Sequence, residues 1–339
     1  MKFSLYLGTL FGIGLAVALI ATNDAGVVFE VFAQVGLGLI PVICVRAAII
    51  LVCSGAWAML HTDLTAISPG VWPLIRSIRE GINVLLPVAT IGGEIAGARL
   101  LTFWGVPASV SGAGILVDLL LQAAGQAIFA LIGVLLLTRI AGTETLTRWV
   151  LVGIGVGFLA LTGFFVALRF DGVGRIGRFV ASRVAQWSRD GSARFLVNPV
   201  RLAEALAAIW RRPRDVGVSA ALHVLAWLLG TLEIWIALHW MGHHTSLADA
   251  MVLESLGQAV RGAAFPVPGG IGVQEGGFIL LGQLLGIDPQ TAIALSLVKR
   301  VPDIVLGLPA LFAWHWLERR HKNALPPPLP GLRPLNETN

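Results

Sequence analysis

Apolar residues occur in long runs along this chain. Because a helix needs roughly 20 apolar residues to cross the hydrocarbon core of a bilayer, each run of about that length predicts a membrane-spanning helix. The qualifying runs cover residues 5–21, 37–60, 113–137, 149–168, 216–238 and 291–316. The first run follows Lys2 and has the alternative of a cleaved signal peptide, although a polytopic protein needs no separate signal. The pattern predicts an all-α polytopic membrane protein with about six spanning helices.

Two further apolar stretches, residues 71–105 and 247–286, are interrupted by helix breakers. Pro87 and a glycine pair interrupt the first, and Pro266, Pro268 and several glycines interrupt the second. Proline and glycine runs at membrane depth are tolerated only where the backbone is buried in protein or lines a cavity. Each stretch is therefore predicted to be a re-entrant helical hairpin, with second half-helices that start near Gly93 and near Val273.

These two stretches match each other at a shift of 181 positions. The matches include Gly81 with Gly262, Pro87 with Pro268, Glu94 with Glu275, Leu100 with Leu281, Gly105 with Gly286 and Ala113 with Ala294. The glycine, proline and glutamate pairs carry the argument, because leucine and alanine matches are common in so apolar a chain. Three predicted spans separate the hairpins, and an odd number inverts the second copy. Broken helices in two inverted halves predict a transport site near the membrane midplane.

Composition agrees with lipid as the solvent. Of 339 residues, 56% are apolar and 13% are charged, whereas a soluble chain carries roughly 25% charged residues. This shortage of charge excludes a water-soluble enzyme. Cys44 and Cys53 lie on opposite sides of one predicted helix and are not expected to form a disulfide.

The location of the charge divides the chain. Residues 169–214 are rich in arginine, which is typical of a cytoplasmic, lipid-facing loop. Residues 23–36 contain no lysine or arginine and are expected outside, with both termini in the cytoplasm. The predicted units are an N-terminal membrane repeat (1–168), a cytoplasmic amphipathic loop (169–214), a C-terminal membrane repeat (215–320) and a disordered cytoplasmic tail (321–339). The loop either binds anionic lipid or only sets topology, and nucleic-acid binding is remote.

Ionisable residues at membrane depth indicate either a functional site or structural ion pairs. Helix N-termini near the breaks attract anions, and the glutamates there, Glu94 and Glu275, either handle substrate or a proton, or cap their helices. Arg46 lies in the middle of a span and is expected to need an acid. The predicted substrate-binding residues are Arg79, Glu80, Gly93, Glu94, Arg99, Arg261, Gly269, Gly270, Gln274, Glu275, Lys299 and Arg300.

Other motifs do not support a familiar catalytic or metal site. His239, His243 and His244 lie at a helix end without carboxylate or thiolate help, which favours an interfacial cluster over a metal site. The chain contains no Gly-x-Ser-x-Gly elbow, Walker lysine loop or His-Glu-x-x-His helix. We therefore predict no catalytic residue, no metal and no cofactor.

The segment 257–277, followed by 294–300, resembles the flippase-like transmembrane family, which includes the membrane half of lysylphosphatidylglycerol synthase. Within that family it resembles the hopanoid-biosynthesis-associated branch. The resemblance implies a bacterial inner-membrane protein that acts on a lipid, either a hopanoid or an anionic or aminoacylated phospholipid. The soluble aminoacyltransferase of full synthases has no counterpart in the short tail here, so lysyl transfer is not expected.

The sequence therefore predicts a lipid transporter or flippase whose movement is downhill or coupled to an ion or proton gradient. The alternatives are a membrane-embedded lipid-modifying transferase and a non-catalytic partner of lipid or hopanoid synthesis. The sequence does not specify an oligomeric state.

Overall fold

A computed structural model describes residues 14–62, 67–86, 92–141, 199–263 and 270–324, with isolated positions 155, 162, 163 and 267. These residues form helices and turns, which confirms the all-helical prediction for the described part of the chain. The helices are α1 (Ala25–Val35), α2 (Leu39–Met59), α3 (Val71–Leu85), α4 (Gly92–Thr102), α5 (Ala108–Ala141), α6 (Pro199–Trp210), α7 (Pro213–Trp240), α8 (Leu247–Ala263), α9 (Val273–Leu284) and α10 (Pro289–Ala324). Residues 14–22 are also helical.

Three stretches of the described chain are long and apolar enough to cross a membrane: Ala25–Met59, Ala108–Arg139 and Pro213–Trp240. They contain the predicted runs 37–60, 113–137 and 216–238 almost completely. The predicted run 291–316 lies within α10, which stays helical through Pro302 and Pro309. The run 5–21 is helical from residue 14 onward. The run 149–168 and most of the loop 169–214 lie outside the described residues.

The segment 23–36, expected as a connection between spans, is largely helix α1. Asp24 caps this helix: its carboxylate accepts hydrogen bonds from the backbone N–H groups of Gly26 and Val27. A short 3₁₀ turn at Gly36–Gly38 then joins α1 to α2. The packing of α1 against α10 connects the N-terminal part of the chain to its C-terminal helix.

The two interrupted stretches form two pairs of short helices. α3 packs against α4, and α8 packs against α9. These helices contain 15, 11, 17 and 12 residues, each shorter than the roughly 20 residues that span a bilayer. α4 begins at Gly92 and α9 at Val273, close to the two positions at which the sequence predicts that helices start.

The 181-residue spacing also relates the boundaries of helices. α4 and α9 begin 181 positions apart, as do α5 and α10, and α2 and α7 end 181 positions apart. The turn after each second half-helix is built alike. Gly105 and Gly286 have φ of 81° and 73°, a conformation that favours glycine. The following N–H groups, of Val106 and Ile287, donate to the carbonyls of Leu101 and Gly282.

Two apolar cores support these two helix pairs. One core surrounds α3 and α4 and includes Ile75, Ile78 and Leu100, and the other surrounds α8 and α9 and includes Leu253 and Phe278. Burial of a large apolar side chain that would otherwise contact water contributes about 1.5–3 kcal/mol. Close packing adds dispersion attraction whether the alternative neighbour is water or lipid. Both effects stabilise each helix pair.

Candidate functional site

A cavity of about 220 Å³ lies between α3 of the first helix pair and α8 of the second. Helices α2, α3, α5, α7, α8 and α10 contribute to its wall. The wall carries charged groups from Arg46, Arg76, Glu80, Arg261 and Asp303. The cavity is large enough to hold a small polar group together with water.

Asp118 on α5 organises a first group of charges beside the cavity, the Asp118 cluster. Its Oδ2 accepts hydrogen bonds from Arg79 Nη1 at 2.9 Å and from Arg76 Nη1 at 3.1 Å. Its Oδ1 lies 3.0 Å from Nε2 of His223 on α7. Because all four side chains are buried, these contacts supply the compensation that a buried carboxylate requires.

Arg76 connects the Asp118 cluster to the cavity wall. Its Nη2 donates to Glu80 Oε1 at 2.6 Å and to Gln122 Oε1 at 3.3 Å. Arg76 and Glu80 are one helical turn apart on α3, the spacing at which side chains meet. The polar stripe of α3 therefore faces the cavity rather than water.

Glu94 fixes the start of α4 against α3. Its carboxylate accepts hydrogen bonds from Arg79 and, at 3.1 Å, from Asn83 Nδ2. The Gly93 N–H donates to Asn83 Oδ1 at 2.9 Å. Gly97 leaves room for the Arg79 side chain, because a Cβ at this position would lie 2.6 Å from Arg79 Cγ. The break is thus closed by polar contacts between the two half-helices.

Glu233 on α7 organises a second group of charges, the Glu233 cluster. Arg46 Nε and Nη2 each donate to one oxygen of Glu233 at 2.7 Å, which is the bidentate geometry of a strong charge-assisted contact. Lys299 Nζ donates to Glu233 Oε2 at 3.1 Å and to Glu254 Oε2 at 2.7 Å. The expectation that Arg46 needs an acid is confirmed.

Asp303 and Arg261 meet Arg46 at the cavity wall. Asp303 Oδ1 lies 3.3 Å from Arg46 Nη1, and its Oδ2 lies 3.9 Å from Arg261 Nη2. Gly270 has φ of 62°, and a Cβ there would lie 2.9 Å from Arg261 Cγ. Glycine at this position therefore lets the stem of Arg261 pass close to the backbone.

Glu275 closes the start of α9. Its Oε2 accepts the Gly272 N–H at 2.6 Å, and its Oε1 accepts Arg300 Nη2 at 2.8 Å and Ser296 Oγ at 3.0 Å. Gln274 donates to the same serine at 2.9 Å. The Glu275 contacts fit the capping alternative and also tie α9 to α10.

The predicted site residues therefore separate into three groups. Glu80 and Arg261 line the cavity. Residues in the supporting contacts are Arg79, Gly93, Glu94, Gly270, Gln274, Glu275, Lys299 and Arg300. Arg99 instead pairs with Glu318 on α10, where both side chains are partly exposed, and Gly269 lies outside the described residues.

Several residues of the wall or the clusters are absent from the prediction. They are Arg76, Gln122, His223 and Glu233. The helical spacing of Arg76, Arg79 and Glu80 shows that α3 has a polar face, but a polar face looks the same in sequence whether it meets water or a protein cavity. His223 and Glu233 are ionisable residues within the apolar run 216–238, and this signal could have identified both.

The cavity wall draws on corresponding positions of the two halves. Four pairs on the wall are separated by 181 positions: Arg46 and Trp227, Ser77 and Gln258, Glu80 and Arg261, and Gln122 and Asp303. The same spacing relates Asp118 to Lys299, which join the Asp118 and Glu233 clusters respectively. At two of these pairs, an acid in one half corresponds to a base in the other.

The histidines near the end of α7 make ordinary contacts. His239 stacks on Trp235, and His243 Nε2 lies 3.1 Å from Thr291 Oγ1. Partial burial opposes ionisation of nearby Asp288, but hydrogen bonds from the Thr291 backbone and hydroxyl outweigh it and lower the pKa of this carboxyl. Among the described residues, no group of three or more His, Cys, Asp or Glu side chains is placed to hold a metal ion.

The family model described as the lysylphosphatidylglycerol synthase TM region matches residues 6–310. The chain belongs to this family. The match confirms the resemblance at the level of the family and, together with the apolar helices, identifies a membrane protein with a lipid-related function. No curated protein is detectably similar to the chain. No solved structure is detectably similar to it either.

Proposed function

We propose that this member of the lysylphosphatidylglycerol synthase TM family moves a lipid with a charged headgroup between the leaflets of a bacterial cytoplasmic membrane. The headgroup passes through the central cavity while the tail remains in the surrounding lipid. The charged cavity between two broken helix pairs is the observation that carries this proposal. A polar path of this kind lowers the cost of bringing a headgroup to membrane depth.

The outer surface supports a tail that stays in lipid. Large apolar side chains point away from the protein on several helices, including Leu37, Leu280 and Phe312. In water such exposure would favour association, whereas in a bilayer it is the ordinary contact surface. The cavity and the outer surface thus match the two parts of an amphipathic lipid.

The recurrent 181-residue spacing supports two re-entrant hairpins in an inverted repeat. Each broken pair is too short to span the bilayer twice, and each break is closed by polar contacts near Glu94 or Glu275. Broken helices at corresponding positions are characteristic of transport sites near the midplane. In this proposal the two halves rock against each other and expose the cavity to one leaflet at a time.

The cavity favours a phospholipid over a hopanoid as the substrate. Three arginines on its wall suit a phosphate, which accepts several guanidinium hydrogen bonds at once. A hydroxylated hopanoid headgroup offers no charge to compensate them.

The contacts of Glu94 and Glu275 do not favour these residues as proton carriers, because each carboxylate already accepts hydrogen bonds from an arginine. We assign both glutamates to holding the half-helices in place. Lipid movement is then driven by the difference in lipid concentration between the leaflets. An imposed pH gradient should leave the rate unchanged.

One contact favours a second candidate function, a lipid-modifying enzyme. His223 lines the cavity, and its Nε2 lies 3.0 Å from the buried carboxylate of Asp118. An acid that orients a histidine is a common arrangement for a general base. Two arginines share the same carboxylate, which favours a structural role for Asp118 and places transport first.

Reconstitution into liposomes separates these functions. Fluorescent phosphatidylglycerol and a labelled hopanoid are followed from one leaflet to the other, and the lipids are then analysed by mass spectrometry. We expect phosphatidylglycerol to move, and Arg261→Gln to slow it by roughly tenfold. The matched control Arg99→Gln removes an arginine outside the cavity and should leave the rate unchanged.

Two other results of the liposome experiment would contradict the transport function. A chemically altered lipid that is lost in His223→Gln would identify an enzyme. Movement no faster than in protein-free liposomes, with unaltered lipid, would contradict both functions and favour a non-catalytic partner of lipid synthesis.

A further inference from the structure

We propose that Asp303 is an internal substitute for the anionic group of the ligand. Its carboxylate lies between Arg46 and Arg261, where the ligand's anion binds, and the incoming anion displaces it. This inference deepens the proposed function, since it takes the displacing anion to be the phosphate of a lipid headgroup.

The ion pairs of Asp303 are longer than the others around it. Arg46 contacts Glu233 at 2.7 Å with two nitrogens but reaches Asp303 only at 3.3 Å. Arg261 lies 3.9 Å from the other Asp303 oxygen. Charge-assisted contacts of full strength are about 2.7–2.9 Å long. Asp303 is therefore the most weakly held carboxylate among these partners.

Arg46 remains in position if Asp303 leaves. Its Nε and Nη2 are fixed by Glu233, which Lys299 holds in turn. The remaining Nη1 faces Asp303. Displacement of this carboxylate exposes a positioned guanidinium nitrogen without dismantling the Glu233 cluster.

Arg261 approaches from the opposite helix pair. The close passage of its stem over Gly270 restrains the side chain. A ligand anion between Arg46 and Arg261 would therefore contact both halves of the protein. Such a contact gives the headgroup a way to change how the halves pack.

The backbone next to Asp303 lacks one helical hydrogen bond. Pro302 is inside α10 and has no N–H to donate to the carbonyl one turn earlier, at Val298. Helices bend most readily at such positions. The carboxylate that must move therefore follows a weak point in an otherwise continuous helix.

Two nitrogens of wall residues have no hydrogen-bond partner among the described residues, Nε of Arg76 and Nδ1 of His223. Both nitrogens are buried, and these side chains are 2% and 1% exposed. A ligand in the cavity therefore reaches them only if these side chains move.

This arrangement gives selectivity for charge. A neutral headgroup cannot replace the carboxylate, because Arg261 would lose its contact with Asp303 and Arg46 would keep only Glu233 at low dielectric. An anion that takes the place of Asp303 keeps both arginines paired. The predicted ligand class is a phosphate ester or another compact anion.

Binding of soluble anions to the detergent-solubilised full chain tests the exchange. Glycerophosphoglycerol, the deacylated headgroup of phosphatidylglycerol, and inorganic phosphate are titrated by calorimetry. We expect Asp303→Asn to bind glycerophosphoglycerol roughly tenfold more tightly than the wild type, because the competing charge is gone. The control Asp288→Asn removes an acid at the start of α10 and should bind as the wild type does.

Two more variants protect the test against misfolding. Asp303→Glu keeps the charge and extends the side chain, so it should compete better and bind the anion more weakly. Arg261→Gln should weaken binding in either background, with thermal unfolding confirming that each variant is folded.

Equal affinities in wild type and Asp303→Asn, or binding to none of the folded variants, would overturn the inference. Tighter binding of glycerophosphoglycerol than of phosphate identifies a lipid headgroup as the source, and equal binding identifies free anion. Anion exchange without lipid movement in liposomes would support the role of Asp303 and contradict the proposed function. Lipid movement with no effect of Asp303→Asn on binding would support the proposed function and contradict the role of Asp303.

Discussion

Replacing Lys299 with methionine removes a charge that two buried carboxylates share. Lys299 is 1% exposed, and its Nζ lies 2.7 Å from Glu254 Oε2 and 3.1 Å from Glu233 Oε2. Methionine has a similar length and fills much of the same space. Glu233 keeps its two hydrogen bonds from Arg46, whereas Glu254 keeps only the amide of Gln258 among the described residues. The substitution therefore leaves one buried carboxylate without a cation.

The expected loss is large. Removing one partner of a buried ion pair costs about 3–5 kcal/mol, because the uncompensated charge remains in a low dielectric. We expect Lys299→Met to lower the free energy of unfolding by this amount. The double variant Lys299→Met/Glu254→Gln should recover at least half, since it removes the unpaired charge. The control Arg99→Met disrupts a pair with partly exposed side chains, which should cost about 0–1 kcal/mol.

Unfolding in mixed detergent and SDS micelles measures these differences, followed by the fluorescence of the 11 tryptophans. If Lys299→Met costs no more than Arg99→Met, water reaches the Glu233 cluster and the low-dielectric reasoning is wrong. If the double variant is no more stable than the single one, the loss comes from packing and not from the unpaired carboxylate.

Two further substitutions test the contacts at the helix pairs. In Gly81→Ala the new Cβ would lie 3.0 Å from the Gly307 carbonyl oxygen. Helices α3 and α10 must then separate, and the free energy of unfolding should fall by about 1–3 kcal/mol. The control Gly217→Ala has open space around the new Cβ and should show no such loss in the same unfolding assay. Glu275→Ala removes the acceptor of the buried Gly272 N–H and should lower the free energy of unfolding by about 1–3 kcal/mol. Glu275→Gln keeps an acceptor and should lower it less. Equal losses of stability in the two variants would show that the charge of Glu275 matters more than its capping hydrogen bond.

The positions of the helices follow directly from local properties of the chain. Apolar runs of sufficient length specify spans, as α2, α5 and α7 show. Helices α4 and α9 begin where the sequence predicts, because proline and glycine remove or weaken the backbone hydrogen bonds before Gly92 and Val273. The matching turns at Gly105 and Gly286 also follow locally, from the positive φ that glycine tolerates.

The composition of the candidate site does not follow from local properties. Arg46 in an apolar run predicts that an acid must exist, but nothing near it in sequence shows that the acid is Glu233, 187 residues away. Arg76 belongs to a polar stripe whose burial depends on which helices cover α3. The prediction also grouped Arg99 with the site residues, although the packing of α10 gives it a different partner, Glu318.

The sequence by itself determined the membrane character of the chain, the long apolar helices, the start of α4 and α9 and the recurrence at 181 positions, because these depend on the chemistry of each segment and its neighbours along the chain. The tertiary structure decided which charges compensate each other, which of them meet at the cavity, and that Glu94 and Glu275 close the breaks beside it. The physical reason is the short range of these contacts: a hydrogen bond or a buried ion pair forms within a few ångströms, and only the lateral packing of helices brings residues from distant parts of the chain that close.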